Sequence, residues 1–301
     1  MNEITIDAVR DLALTFEESN LEVAYELMSI AHENRPNGGF IIQKMNEYSS
    51  KLNSPEFKAR HALNGLVKAG DVAIIPVGFR CFTKMKIRDQ FGVVQGSLPF
   101  DSGFFPPSSV VSVFENPIVD LFFEDEGTTH FVCQKQERFR DDNLNLGIAF
   151  SKSSYEEIDS TVRASEGKDV TRYLDNTFGY YTLDASHNFV LAHYNWHPLA
   201  DPIKSKGITN PEENLKAISA MMNKRIARMI KACETAKYIF FIYGEYDNYT
   251  FMKIDDDVYE LGDLDQIRSC VEKRFDAKCV VASSTKFGTA RDILEVMQVE
   301  Y

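Results

Sequence analysis

The spacing of apolar residues changes once along the chain, near residue 70, and that change restricts the fold more than any other feature. Before it, apolar positions recur every three or four residues, as on one face of a helix. Beyond it, short apolar runs alternate with amphipathic stretches, the pattern of strands separated by helices. Ser19-Asn20-Leu21-Glu22 has the form of a capping box, and Leu21, Ala24, Tyr25, Met28 and Ala31 then share one face. That predicts a helix over about residues 20–34. Arg35-Pro36-Asn37-Gly38-Gly39 ends it, because proline cannot continue the ladder and glycine accepts left-handed geometry. A second helix carries Phe40, Ile41, Met45, Tyr48 and Leu52 on one side.

This pair is similar to a single tetratricopeptide-like helical hairpin. Arrays of such units need about three repeats to stand alone. Residues 1–70 are therefore expected to form a helical appendage, available to a protein partner, docked on an α/β domain spanning residues 71–301. In that domain Val72 to Val77, Asn188 to His193, Lys237 to Tyr243 and Cys279 to Ala282 read as strands. Phe82 to Phe91, Pro211 to Ala236 and Asp263 to Phe275 read as helices. Such alternation predicts an α/β fold with a mainly parallel sheet flanked by helices. Residues 125–185 are polar, and antiparallel or mobile structure is expected there, with exposed loops at Ser151-Lys152-Ser153-Ser154 and Ala164-Ser165-Glu166-Gly167-Lys168.

Charge and composition exclude several classes of function. With 45 acidic and 33 basic side chains the formal charge is −12, so the molecule's field repels nucleic acid and anionic membranes. The longest tight apolar run, Ile239 to Tyr243, is far below the ~20 residues a membrane-spanning helix requires. The first residues carry acids where a secretory signal has basic ones, which predicts a cytoplasmic protein. Five cysteines without a Cys-x-x-Cys pair do not make a disulfide framework. Most are expected to be small buried hydrophobes, reactive only where the electrostatic setting is special.

Gly78-Phe79-Arg80-Cys81 offers that setting, since it places a thiol where a strand stops and a helix starts. A helix amino terminus carries unpaired N–H groups and partial positive charge, which favour thiolate over thiol. Arg80 adds a cation that suits substrate binding. The alternative reading of Cys81 is a core residue at the start of a packed helix.

Gly78-x-x-Cys81, a short helix and then Ser97-Leu98-Pro99-Phe100-Asp101 resemble the opening of a papain-like cysteine peptidase family, catalogued as a domain of unknown function. The likeness extends to Val190-Leu191-Ala192-His193, and to Lys224-Arg225-Ile226-Ala227-Arg228 before Tyr238-Ile239-Phe240-Phe241-Ile242, covering most of residues 71–245. Two positions depart from the pattern: Ser102 stands where tryptophan is usual, and Tyr194 where aspartate is. The resemblance implies a thiol hydrolase in which His193 takes the Cys81 proton and the thiolate attacks a carbonyl of a peptide or other acyl substrate. Asp247, Glu245 and Asn195 are each candidates for the group that orients the imidazole. Asp101 reads either as a substrate-binding acid or as a structural cap within its turn. Papain-like domains pack helices against an antiparallel sheet, which conflicts with the parallel alternation read above.

Two further groupings bear on function. His187, His193 and His197 would share one face of an unbroken strand and could then hold zinc, but Trp196-His197-Pro198 reads as a turn that scatters them. No metal or cofactor is therefore expected. Arg225 and Arg228, on a helix that also bears Lys224 and Lys231, could bind an anionic group or simply face solvent. From these follows a rival function, a glycan- or nucleotide-sugar-processing transferase with a crevice at the carboxyl ends of the strands. It has no glycine-rich phosphate loop to support it. A third reading is a non-catalytic partner-binding protein.

Overall fold

A computed structural model of the chain describes residues 5–78, 81–121, 131–133, 138–140, 146–153, 157, 160, 180–192, 211–244 and 249–301. The fold is α/β, and its contacts divide it into two units. One comprises Met1–Asn64 with Thr289–Tyr301; the other is Gly65–Gly288.

The first unit is helical. α1 (Ile6–Phe16) is capped by Thr5, and α2 (Leu21–Asn34) by Asn20, whose Oδ1 accepts the Val23 N–H at 3.2 Å. α3 (Gly39–Leu52) follows the Pro36 break, and α4 (Pro55–Ala69) follows α3. Ala13, Ala24, Met28, Ala31, Ile41 and Tyr48 form a core whose small residues let the helices approach closely. At its edge Lys44 Nζ and the Tyr48 hydroxyl both donate to the Glu17 carboxylate, at 2.9 and 3.3 Å.

The second unit is built around a strand containing Pro76. Proline has no N–H to give to a ladder, so it belongs on a sheet edge. β1 (Val72–Gly78) is accordingly an edge strand among those described. Six strands, β2 (Gly103–Phe104), β3 (Phe131–Cys133), β4 (Arg138–Arg140), β5 (Leu146–Ser153), β6 (Tyr180–Asp184) and β7 (Phe189–Leu191), precede β8 (Tyr238–Gly244), and β9 (Phe251–Ile254) and β10 (Asp257–Glu260) follow it. β1 pairs in parallel with β8, and β8 with β11 (Lys278–Ser283), giving the order β1-β8-β11. Both faces of β1 are buried, as are those of β8 beyond Tyr238. This is the signature of a parallel sheet covered on both sides.

The other strands pair in the order β10-β9-β5-β3-β6-β7-β2, with β4 also on β5. Here β5 with β9 is parallel and the remaining pairs are antiparallel. The parallel arrangement expected from the alternation thus holds for the three-stranded sheet, and mixed pairing fills the rest. Ser151-Lys152-Ser153, expected in an exposed loop, is instead the end of β5, paired with Phe131–Cys133. The exposed loop expected at residues 164–168 lies outside the described residues.

Three helices lie within this unit near the parallel strands in sequence: α5 (Phe82–Phe91) after β1, α7 (Pro211–Thr235) before β8, and α8 (Asp265–Arg274) before β11, with α6 (Pro107–Glu115) after β2. α7 buries Leu215, Ile218, Met222, Ile226, Met229 and Cys233, spaced three or four apart on one face. α7 also holds an extended segment: Asn223 exchanges two 2.8 Å hydrogen bonds with the Val119 backbone, and the Ser219 hydroxyl accepts the Leu121 N–H at 2.8 Å. α9 (Ala290–Met297) belongs to the first unit and is capped by Thr289, whose N–H donates to Asp292 Oδ2 at 2.8 Å.

An aromatic cluster fixes the chain around the Pro-Phe-Asp turn. Phe104 stacks edge-on to Phe150 and Tyr181 at 4.9 and 5.5 Å, and Phe105 lies 5.2 Å from Phe100 and 5.0 Å from Phe189. Pairs of this kind contribute about 0.5–1.5 kcal/mol each beyond area burial. Phe100 and Phe104 therefore anchor both sides of the intervening Asp101 and Ser102.

Candidate functional site

β1 ends at Gly78, in register with Gly244 at the end of β8. A Cβ on Gly78 would lie 2.5 Å from the Gly244 carbonyl oxygen and 2.6 Å from Thr83 Oγ1, and one on Gly244 would collide with Thr83 Oγ1. Glycine at both positions lets the first turn of α5 sit directly on the strand ends. The Thr83 hydroxyl secures it by donating to the Val77 carbonyl at 3.2 Å.

Cys81 is the N-cap of α5, with φ −92° and ψ 1°, and its carbonyl accepts the Met85 N–H at 3.1 Å. Its side chain makes no capping hydrogen bond, and the residue is half-buried. Burial pushes the Cys233 and Cys279 thiols up to about 12, and burial also raises that of Cys270.

Lys84 lies three residues beyond Cys81, on the same side of the helix. Its ammonium donates to Asp101 Oδ2 at 2.5 Å and to Ser97 Oγ at 2.8 Å. Asp101 is only 4% exposed, and the same Oδ2 accepts the Leu98 N–H at 3.0 Å. Of its two expected roles, the carboxylate fills the capping one, and it also balances the Lys84 charge. Next in the chain, the Ser102 hydroxyl donates to the Ala192 carbonyl at 3.3 Å, and Gly103 and Phe104 pair with Leu191 and Val190. Four consecutive residues, Asp101 to Phe104, therefore join the helix of Cys81 to β7, which stops at Leu191, two residues before His193.

His193 itself lies outside the described residues, as do Arg80, Asn195, His197, Glu245 and Asp247. Gly244, which precedes Glu245, is the residue in register with Gly78. The structure thus links the helix of Cys81 to Asp101 through Lys84, Ser102 to Ala192, and the end of β1 to the end of β8.

Arg228 is exposed, and its Nη1 donates to the Ser97 carbonyl at 2.6 Å. A Cβ on Gly96 would lie 3.0 Å from that Nη1, so the absence of a side chain there admits the guanidinium. Together with the 2.7 Å bond from Gln95 Nε2 to the Ile74 carbonyl, this holds residues 95–97 beside β1. Arg225 is half-buried on the same helix. His187 is 2% exposed, with Nδ1 2.8 Å from the Ser112 hydroxyl and Nε2 2.9 Å from the Ile118 carbonyl. Both ring nitrogens are engaged, which leaves neither for a metal. Among the described residues no group of three His, Cys, Asp or Glu is disposed to hold a metal ion.

Sequence reasoning did not single out Thr83 or Lys84, whereas Gly244 is read from the sequence as a strand end that points, with Cys81, into the crevice. Lys84 carries a signal, its i, i+3 spacing from Cys81. Ser102 stands out in the sequence only as a departure from a family pattern. Among the described residues no helix is long and apolar enough to cross a membrane. The chain matches no protein-family model, no curated protein and no solved structure.

Proposed function

We propose that the protein is a cysteine-dependent acyl hydrolase of papain-like peptidase type, with Cys81 as nucleophile and His193 as its base. The observation that carries this reading is the short link from the helix of Cys81, through Lys84 and Asp101 to Ser102, and on to Ala192. It joins the helix that begins at Cys81 to the chain neighbour of the histidine.

In this reaction His193 accepts the thiol proton and the Cys81 sulfur attacks the substrate carbonyl carbon. The developing oxyanion is received by first-turn N–H groups of α5, which lack intrahelical partners. The carbon–nitrogen or carbon–oxygen bond then breaks, and the imidazolium returns its proton to the leaving group. Water, deprotonated by His193, cleaves the thioester, freeing the acid and restoring the thiol. Asp247, Glu245 or Asn195 orients the imidazole. Arg80 and Arg225 supply positive charge toward the substrate. Cys81 follows the carboxyl end of β1, and such strand ends are the usual place for a crevice in a parallel sheet.

We place this chemistry in the cytoplasm, where four cysteines recorded as free thiols, Cys81, Cys233, Cys270 and Cys279, stay reduced. A protein partner on the amino-terminal helices is supported by the exposed apolar side chains of Leu12, Ile30 and Phe40.

Iodoacetamide labelling of the native protein at neutral pH, followed by peptide mapping, tests the reading. Cys81 is expected to be alkylated first, with Cys233 and Cys279 untouched until the protein unfolds. Labelling of Cys81 no faster than that of Cys270 would overturn the nucleophile assignment.

A further inference from the structure

A pocket of about 110 Å³ opens between α5, the outer edge of β1 and the chain that follows α5. Pro76, Met85, Val93 and Val94 give it apolar walls, and Lys84 and Arg88 also line it. Lys84, Met85 and Arg88 stand three, four and seven residues after Cys81, so the pocket runs along the helical stripe that the thiol begins. Helical side chains lean toward the amino terminus, the end of α5 at which Cys81 stands. The Cys81 carbonyl accepts the Met85 N–H at 3.1 Å, which sets the two residues one helical turn apart.

Three properties define what fits. The walls are largely apolar, and Met85 and Val94 are 41% and 71% exposed, large side chains left in water unless something covers them. An apolar cavity of ~150 Å³ holds benzene, so this smaller volume suits one branched aliphatic side chain better than an indole. Its cations are already balanced, Lys84 by Asp101 at 2.5 Å and Arg88 by Asp89 at 2.7 Å, which favours an uncharged occupant over an acid or a base.

We propose that this pocket is a specificity subsite that receives an uncharged aliphatic side chain, of about leucine size, on the acyl substrate attacked by Cys81. The proposal rests on the hydrolase reading and names the substrate class that the reading leaves open: amides or esters with a branched aliphatic group next to the scissile carbonyl.

The test compares alkylation of Cys81 in the full chain by iodoacetamide and by N-isobutyl iodoacetamide, with glutathione as reference for intrinsic reactivity. The isobutyl probe is expected to gain about tenfold over iodoacetamide at Cys81 relative to glutathione, the scale of discrimination a small apolar pocket provides. Met85→Trp, which fills the pocket, and Val94→Asp, a surface change that puts a carboxylate at it, should each bring that ratio back toward one. Fast labelling of Cys81 with a ratio of one overturns the subsite and leaves the hydrolase reading standing. A high ratio that survives both substitutions overturns the pocket assignment. Slow labelling by both probes, at the rate of Cys270, overturns the subsite and the hydrolase reading together.

Discussion

The Ser102 hydroxyl and the Ala192 carbonyl, ninety residues apart in the chain, meet at 3.3 Å. Ser102 lies against the carbonyl immediately before the proposed base. Ser102→Ala is expected to lower stability by about 1 kcal/mol, the net worth of one hydrogen bond. It should also slow acylation of Cys81 more than Ser102→Thr, which keeps the hydroxyl. Chemical denaturation and single-turnover kinetics of the two variants check both parts; equal acylation rates would deny Ser102 any positioning role.

The Gly78–Gly244 pair makes a sharper structural prediction. Gly78→Ala drives a methyl group against the Gly244 backbone oxygen, which no flexible side chain can relieve. Overpacking of this kind costs about 1–3 kcal/mol. A thermal melt should show a drop of several degrees, whereas Gly39→Ala, where a Cβ meets nothing within 4 Å, should melt close to the wild type.

Lys84 and Asp101 should be energetically coupled. Asp101 is buried and Lys84 is 37% exposed, so water screens part of the attraction. A double-mutant cycle with Lys84→Met and Asp101→Asn should give a coupling of about 1 kcal/mol. Asp101→Ala should cost more than Lys84→Ala, because it also strips the Leu98 N–H of its acceptor. Additive single and double variants would show the ion pair to be incidental.

Stability should fall in alkali through two thiols. Burial raises Cys233 and Cys279 from an ordinary value of 9.0 to about 12, so the folded chain holds protons that the unfolded chain releases. The sign follows: their contribution is full below pH 9 and is lost as pH rises from there toward 12. Urea midpoints measured from pH 8 to 10.5 should decline, and Cys233→Ala should flatten that decline. A slope unchanged by the substitution would assign the loss to other groups.

How far the sequence disclosed these features depends on chain distance. Strand β1 and helix α5 were legible, because the apolar run from Val72 stops at Gly78 and the helix ends at Gly92, which has φ +68°. The helix capped by Asn20 was legible for the same local reason. The hairpin of β9 and β10 was not. Its turn uses Asp255 at φ +51° in an Asp-Asp-Asp run, which lacks the Asn-Gly or Asp-Gly signal of a tight turn. Strands β3, β4 and β6 are three to five residues long and lie in polar sequence, so periodicity could not separate them from loop. Within the site, Cys81 was legible from the strand-to-helix junction, but the Lys84–Asp101 and Ser102–Ala192 contacts were not. They arise only when distant segments return to the same place, and apolar spacing carries no record of that.

The central claim concerns one sulfur and one imidazole, and an activated ester addresses both. With p-nitrophenyl acetate the wild-type chain should release a burst of about one nitrophenolate per molecule and carry one acetyl group on Cys81. His193→Ala should slow that burst by about 10²–10⁴, the usual contribution of a positioned general base, and Cys81→Ser should abolish it. A burst that persists in Cys81→Ser, or that is as fast in His193→Ala as in the wild type, would contradict the account.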